Sequence, residues 1–471
     1  MERSYALDAL RGVAILAMVL SGIVPHGLPA WMYHAQEGPP TYISAPIVPG
    51  LTWVDLVFPL FLFAMGAAIP LALSRRLEKG TPMRSILGGI AWRGVMLAIF
   101  AVYNDHVGAY AFTSDASAGK TQWALALLGF SVLWPVWGRF PAKWSKTTVT
   151  AVRVVGWAGL AALMALLPLT GVQPAFRLGF RNWVGVEDII ILVLANVSVA
   201  GSLIWLCTRG QWWARLAPAG LFLALRIGSS WPGWAHSLWQ FTPADWLYRM
   251  EFLKYLIIVL PGTVVGDVLL QGMRAPAQEP TWARARYAAL ATTAFAFVPL
   301  VLSALEARWV LRGTLASLAL GALAWALVAR PGSERERLLA RLIQWGTYWL
   351  IIGLCFEPYE GGIRKDGTTI SYFFVCMGLA HLALAGFTVI VDVWNWRRPL
   401  SLLIDNGQNP LLAYMACSNL VLPILALATV AERVDKLALP PWGGAAYAAL
   451  VTLISALFVS VCTRRAWMVR A

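Results

Sequence analysis

Long apolar runs follow one another along almost the whole chain, and they limit what it can fold into. A helix needs about 20 mostly apolar residues to cross a hydrocarbon core of about 30 Å, and the 471 residues contain up to fourteen such runs. Only 13% of the residues are charged, whereas about 25% is typical of soluble proteins. Because backbone amides in lipid must pair within their own segment, these runs predict transmembrane helices and exclude a soluble fold.

The predicted fold class is all-α, a polytopic transmembrane helical bundle of about 11–14 spans that forms one domain over residues 1–471. The predicted spans cover residues 8–27, 51–73, 84–104, 122–138, 149–169, 188–208, 212–229, 252–272, 285–305, 309–329, 338–356, 370–393, 408–430 and 443–463. The segments 122–138 and 212–229 have the weakest apolar patterns, and they account for the range in the count.

The distribution of basic residues predicts the orientation of the chain. With the N-terminus in the cytoplasm, inside segments hold 23 of the 37 Lys and Arg residues, as the positive-inside rule expects. The first outside loop, residues 28–50, contains neither Lys nor Arg. The net charge of +14 is therefore explained by membrane topology, and nucleic acid is not an expected partner. Two further long outside segments, 170–187 and 230–251, are candidates to cover a site.

The five cysteines are scattered among apolar runs, without a CxxC motif or metal-like spacing, so the sequence predicts neither a disulfide framework nor a metal site. Ionisable residues near membrane spans are the stronger functional candidates, because placing charge in lipid is costly. Four of the five histidines fall in predicted outside loops. His34 is one of them, and Asp55 opens the second span 21 residues later. Asp55 could turn back to orient the His34 imidazole as a base, or it could simply cap its helix.

Several short motifs resemble one known family. They are Asp8-Ala9-Leu10-Arg11-Gly12, His34-Ala35, Asp55-Leu56-Val57-Phe58-Pro59, Lys365-Asp366-Gly367-Thr368-Thr369 and Asn406-Gly407-Gln408-Asn409-Pro410. Together they resemble the heparan-α-glucosaminide N-acetyltransferase family of transmembrane acetyltransferases, and in particular its bacterial branch associated with N-acetylglucosamine utilisation. The resemblance covers about residues 1–80 and 357–415.

The resemblance implies transfer of acetyl from cytosolic acetyl-CoA to a sugar amine across the membrane. It places the catalytic histidine at His34 and its acidic partner at Asp55. The animal enzyme of this family carries a functional asparagine shortly after the first span, where this chain has Ser21-Gly22; Asn409 is the candidate replacement. Imidazole, with a pKa near 6.5, suits the removal of a proton from an attacking amine.

The remaining site residues are assigned by chemistry and by side of the membrane. The phosphates of CoA should meet basic residues on the cytoplasmic side, and the candidates are Arg11, Arg75, Arg76, Lys79 and Arg93. Lys365 and Asn409 are candidate donors to substrate or oxyanion, and Trp31 could stack on a sugar. Each basic candidate also fits an ordinary positive-inside loop.

The sequence therefore predicts an acetyl-CoA-dependent amino-sugar N-acetyltransferase of the bacterial inner membrane, with His34 on the periplasmic side, forming a homodimer without a metal. His34 could act as general base or carry the acetyl group itself. The alternatives are an amino-sugar transporter and an acyltransferase acting on a cell-envelope glycan. No two related halves of the kind found in transporters are visible.

Other polar residues have weaker assignments. Asp8 and Arg11 are spaced to pair on one helical face, Asp188 is placed to cap a span, and Gly262 and Gly266 would allow close helix contact. Asp105-His106 is a second possible acid–base pair on the outer side.

Overall fold

A computed structural model describes residues 3–112, 118–166, 188–276 and 278–470. Over these ranges the chain is helical and contains no β-strand, only two isolated bridges, Gly138–Val469 and Ala244–Tyr248. The chain divides into two compact units that alternate along the sequence, each assembled from three separate stretches.

Unit 1 consists of residues 1–82, 201–223 and 255–407. Its helices are α1 (Tyr5–Ser21), α2 (Trp53–Glu78), the end of α6 (Ile189–Cys207), the start of α7 (Leu216–Gly228), α9 (Leu256–Arg274), α10 (Arg284–Glu306), α11 (Val310–Leu327), α12 (Glu334–Tyr359), α13 (Ile370–Phe387, continued by a π-helical turn Thr388–Val393) and most of α14 (Ser401–Gln408).

Unit 2 consists of residues 83–200, 224–254 and 408–471. It contains α3 (Met83–His106), α4 (Lys120–Trp137), α5 (Lys146–Leu166), the larger part of α6, α8 (Trp234–Trp239), α15 (Pro410–Ala416), α16 (Leu422–Leu427), α17 (Val430–Lys436) and α18 (Pro441–Arg464).

Within the described residues, eleven helical segments are long and apolar enough to cross a membrane, which confirms the predicted all-α polytopic class. Residues 212–229 differ from the predicted span. They form a 3₁₀ turn, Trp212–Arg215, and the 13-residue α7, which is about 20 Å long and too short to cross the core. The first helix is also shorter than predicted, because Gly22 and Pro25 follow Ser21 and end it. The predicted loop 170–187 lies outside the described residues.

The core of unit 1 is built around α13, which is buried along nearly its whole length and packs against α1, α2, α10 and α12. Its neighbour α2 is also mostly buried and contacts α9 over a long interface. Small residues make that interface possible. A Cβ added to Gly262 would lie 2.6 Å from the carbonyl oxygen of Phe63, and one added to Gly266 would lie 2.3 Å from that of Ala67. The predicted close contact at these two glycines is confirmed.

Capping carboxylates fix where two of the helices begin. In unit 2, Asp188 accepts hydrogen bonds from the backbone amides of Ile190 and Ile191, as predicted for the start of α6. In unit 1, Ser333 and Glu336 form a capping box at the start of α12. Such carboxylates satisfy amides that have no partner within the helix.

Candidate active site

His34 and Asp55 form a direct pair at the start of α2. The Nδ1 atom of His34 lies 2.6 Å from Oδ1 of Asp55. The carboxylate side chain is fully buried, whereas the imidazole is 30% exposed. An ionised carboxylate can only accept, so Nδ1 carries the ring proton and the lone pair of the neutral ring lies on Nε2. The exposed ring can therefore receive a proton or an acyl group at Nε2.

The second oxygen of Asp55 explains how the aspartate is held in place. Oδ2 accepts hydrogen bonds from the backbone amides of Ala35 and Thr52, both at 3.1 Å. The bond to Thr52 belongs to a capping box at the start of α2. Asp55 therefore makes both of the contacts considered from the sequence, since one oxygen caps the helix while the other lies against the imidazole.

An aromatic cluster shapes the loop that carries His34. The Tyr33 hydroxyl donates to the Pro25 carbonyl at 2.6 Å and accepts from the Leu28 amide at 3.0 Å. The Tyr42 ring stacks on His26, with ring centroids 3.9 Å apart. Partial burial raises the pKa of the Tyr33 phenol, and the neighbouring Tyr42 adds to this rise. The phenol therefore stays protonated and remains a hydrogen-bond donor.

Lys365 brings a cation to the same imidazole. Its Nζ atom lies 3.2 Å from Nδ1 and 3.3 Å from Nε2 of His34. An ammonium group can only donate, and the Nδ1 position is already occupied by a proton shared with Asp55. Lys365 can therefore donate only to Nε2 or to an atom placed beside it.

The loop between α12 and α13 holds Lys365 in position. The amide of Gly50 donates to the carbonyl of Ile363 at 2.8 Å, which joins this loop to the one that carries His34. Glu360 accepts hydrogen bonds at 2.7 Å from the amides of Ile370 and Ser371, the first two residues of α13. A carboxylate at this end of a helix also interacts favourably with the helix dipole.

Two contacts at the site were not predicted from the sequence. The hydroxyl of Tyr372, a fully buried residue, donates to the backbone carbonyl of Asp55 at 3.0 Å and joins α13 to α2. The Glu360 cap described above is the other. No local signal marked Glu360, because ten residues separate it from the start of a helix that Thr369 already caps. No signal marked Tyr372, since a tyrosine in an apolar run is usually a packing residue.

The predicted CoA-binding residues lie in different parts of the chain. Arg75 and Arg76 are in the last turn of α2, and Lys79 is its C-cap. Arg11 forms the predicted pair with Asp8, at 3.5 Å, and donates to the carbonyls of Ala64 and Gly407. Arg93 belongs to α3 in unit 2. These CoA-binding assignments remain predictions.

The candidate substrate residues differ in their exposure and in the hydrogen bonds that their side chains make. Trp31 is 43% exposed and lies on the loop that carries His34. In unit 2, the amide group of Asn409 donates to the carbonyl of Trp467 at 2.9 Å and accepts from the amide of Val469 at 3.0 Å. Asn409 therefore holds the C-terminal segment in place.

His106, the histidine of the second possible acid–base pair, also lies in unit 2. Its Nδ1 bonds to the carbonyl of Val102 at 2.7 Å.

The buried ion pair between Arg215 and Asp267 was also not predicted as a pair. Nη2 of Arg215 lies 2.6 Å from Oδ2 of Asp267, and the arginine side chain is only 2% exposed. The indole nitrogen of Trp205 donates to the other oxygen of Asp267 at 3.0 Å. These residues lie near the C-terminal ends of α2 and α9, whereas His34 lies beside the N-terminal end of α2.

The fold and the site together define a multi-pass membrane protein with an acid–base pair at one end of a helical bundle. A family model described as "Domain of unknown function (DUF5009)" matches residues 3–269, which is more than half of the chain. The chain therefore belongs to that family.

Two curated relatives share a shorter region with this chain. Heparan-alpha-glucosaminide N-acetyltransferase of Homo sapiens is 34% identical over 102 residues, which is 21% of this chain and 13% of that protein. The enzyme of the same name from Mus musculus is 34% identical over 101 residues, 21% of this chain and 14% of that protein. The resemblance found in the sequence is thereby confirmed, although the chain aligns with only about one eighth of each relative's length.

Proposed function

We propose that this protein transfers an acetyl group from acetyl-CoA to the amine of an amino sugar such as glucosamine. The observation that carries the proposal is the His34–Asp55 pair, whose 2.6 Å contact puts the lone pair of a partly exposed imidazole on Nε2. The two relatives are named heparan-alpha-glucosaminide N-acetyltransferase, which supports the proposed reaction and the class of acceptor.

His34 supplies a place for the proton in this reaction. The amine nitrogen attacks the thioester carbonyl, a new C–N bond forms, and the C–S bond then breaks. Nε2 of His34 takes the proton from the attacking nitrogen and returns it to the departing sulfur, so that amide and free thiol result. Asp55 stabilises the imidazolium that exists between the two transfers and keeps the ring in one tautomer.

Lys365 supplies the charge that the oxyanion needs. When the carbonyl carbon becomes tetrahedral, its oxygen acquires negative charge, and a donor already in place stabilises it without reorganisation. The ammonium of Lys365 lies 3.3 Å from Nε2, so it is close to the carbonyl that is attacked by the amine from which Nε2 takes the proton. In the absence of substrate it donates to Nε2 itself, and substrate must displace it from there.

Two routes use the same residues. In one, His34 is a general base within a complex of both substrates. In the other, Nε2 attacks the thioester, carries the acetyl group and passes it to the amine. Incubation of the purified protein with labelled acetyl-CoA and no sugar separates them. Label retained on His34 supports the second route, and its absence during normal turnover supports the first.

The proposal is tested with purified protein in detergent, acetyl-CoA and glucosamine. We expect formation of N-acetylglucosamine and release of CoA in equal amounts, with loss of both in His34→Ala. The matched control is His236→Ala, which removes an exposed histidine of the short helix α8 in unit 2 and should leave the rate unchanged. Full activity of His34→Ala would contradict the assignment.

The proposed location is the bacterial inner membrane, with His34 on the periplasmic side and the protein acting as a homodimer. The absence of Lys and Arg from residues 28–50 supports this orientation. Sealed vesicles of known orientation test it, since acetyl-CoA on the cytoplasmic face and sugar on the other should give product. If acetyl-CoA is productive only from the His34 side, the proposed direction is wrong.

A further inference from the structure

Unit 2 contains an apolar cavity whose lining shares no residue with the candidate active site. It has a volume of about 460 Å³, within the range of small-molecule sites. Helices α4 and α18 form two of its walls, through residues such as Phe130 and Phe458. The ten lining side chains are apolar except for three indole N–H groups and one thiol. The interior therefore suits a hydrocarbon chain rather than a polar molecule.

The C-terminal segment, residues 466–470, closes one side of this cavity. The amide of Arg139, in the loop between α4 and α5, donates to the carbonyl of Met468 at 2.8 Å. Asn409 donates to the carbonyl of Trp467, which is one of the lining residues. The segment is thus held from two sides, and the cavity is bounded by three separate stretches of unit 2.

The two stretches that build most of the lining carry basic residues and no acidic ones. Residues 118–166 contain five Lys or Arg and residues 437–471 contain three, with no Asp or Glu in either stretch. Arg139, Lys143 and Arg465 are exposed, and each lies within three positions of a lining residue. The hydrogen bond between Arg139 and the C-terminal segment brings both stretches to one cationic edge. Basic pockets of this kind among membrane helices suit anionic lipid headgroups.

One hydrogen-bond donor at the cavity lacks an acceptor. Trp134 lines the cavity, and its indole nitrogen is buried without a hydrogen-bond partner among the residues that the structure describes. Its ring lies edge-on to Trp144, also of the lining, with ring centroids 5.8 Å apart. A buried N–H group without an acceptor is costly. An ester or phosphate oxygen of a bound lipid would supply the missing acceptor.

We propose that this cavity holds an acyl chain of an anionic glycerophospholipid. The lipid phosphate lies at the cationic edge formed by Arg139, Lys143 and Arg465, and an ester oxygen accepts from the indole N–H of Trp134. This inference does not depend on the proposed acetyl transfer. It concerns a lipid bound at a defined place, in addition to the bilayer that surrounds any membrane protein.

Three other occupants fit the cavity less well. A zwitterionic lipid would bring an ammonium group to an edge whose two stretches contain no carboxylate. A second copy of this chain, packed symmetrically on the cavity, would place the same cations against each other. A soluble phosphate compound would meet the cations but leave the apolar walls unused.

The test measures binding of phosphatidylglycerol, phosphatidylcholine and glycerol 3-phosphate to purified protein in nonionic detergent, by native mass spectrometry. We expect phosphatidylglycerol to bind more than about tenfold more tightly than phosphatidylcholine, and Arg139→Gln and Arg465→Gln each to weaken it by about fivefold. The matched control Arg433→Gln removes an exposed arginine of α17, which precedes the start of α18, whereas the cationic edge lies at its end. This control should bind phosphatidylglycerol as the starting protein does.

Two further variants test the interior of the cavity. Leu412→Trp puts a larger side chain into the lining without changing any charge, and it should weaken phosphatidylglycerol by more than about tenfold. Trp134→Phe removes the indole N–H and should weaken the same lipid several-fold. Thermal unfolding shows that each variant is folded. Phosphatidylglycerol should raise the unfolding midpoint of the starting protein but not that of Leu412→Trp.

The outcomes separate the proposed site from its alternatives. Equal binding of the two lipids, or unchanged phosphatidylglycerol affinity in Arg139→Gln and Arg465→Gln, would show the inference to be wrong. Displacement of the lipid by glycerol 3-phosphate would make this a site for soluble phosphates, which also overturns it. If a folded Leu412→Trp still binds phosphatidylglycerol normally, the lipid lies outside the cavity and the assignment fails. If Leu412→Trp instead converts a dimer into a monomer with lipid binding intact, the cavity is an interface between copies.

Discussion

The Nδ1 atom of His34 and the Oδ1 atom of Asp55 lie 2.6 Å apart, and the second carboxylate oxygen of Asp55 is bound by two backbone amides. The same aspartate therefore begins α2 and fixes the tautomer of the imidazole. An accurately placed base needs a support that cannot rotate, and a helix cap supplies one. The expected effects of substitution follow from this arrangement.

Asp55→Asn should lower kcat by roughly 10²–10⁴-fold while changing KM for the amine little. The amide can still accept one hydrogen bond, but it cannot stabilise an imidazolium or hold Nδ1 as the only protonated nitrogen. Steady-state kinetics of purified protein measure the effect. Asp435→Asn, at an exposed position of α17, is the control. A variant with unchanged kcat would show that Asp55 is only a helix cap.

Lys365→Met should lower kcat/KM by about 10²–10³-fold, because the oxyanion loses its nearest cation. Lys365→Arg keeps the charge but changes its geometry, so it should recover part of the loss. The comparison requires the same acetyl-CoA and glucosamine assay for both variants. Equal activities of the Met variant and the starting protein would remove Lys365 from the mechanism.

Tyr372→Phe should cost about 1 kcal/mol of stability, because a buried hydrogen bond to the Asp55 carbonyl is lost. It should also lower kcat several-fold without affecting CoA binding, since α13 no longer holds the turn that carries Asp55. Thermal unfolding in detergent and steady-state rates report the two effects. Tyr359→Phe, at a position that is 84% exposed, should change neither quantity.

Glu336→Gln should destabilise the protein by about 3 kcal/mol without a direct effect on chemistry. The fully buried carboxylate of Glu336 accepts hydrogen bonds from Thr281, Trp282, Tyr287, Gly332 and Ser333. An amide replaces one accepting oxygen with a donor, which leaves several buried donors without partners. The midpoint of thermal unfolding measures the loss. Glu334→Gln, at a partly exposed position of the same turn, should stay within about 0.5 kcal/mol.

Apolar runs were sufficient to predict most of the helices, because a lipid-spanning segment is defined by its own length and composition. They failed for residues 212–229, where Trp212 and Trp213 are exposed and the following helix has only 13 residues. A window of apolar residues does not show whether the helix within it is long enough to span the membrane. The apolar run at the N-terminus also continues past the end of the first helix, which is at Ser21.

The sequence predicted the pair of His34 and Asp55 because the two residues lie on either side of one short loop. It could list Lys365 only as a candidate, since that residue is 331 positions from His34 and reaches it through the packing of α13. Arg215 and Asp267 are also distant in the chain, and their pairing depends on how the 3₁₀ turn before α7 packs against α9. Contacts of this kind arise from tertiary packing, which no local pattern encodes.

Chemical rescue of a His34 variant tests the central claim most directly. His34→Ala removes the imidazole from a partly exposed site, so free imidazole in solution can enter the space and accept a proton there. The account predicts that His34→Ala is inactive and that added imidazole restores acetylation of glucosamine in a dose-dependent manner, with no effect on Asp435→Asn. Full activity of His34→Ala without imidazole would contradict the account.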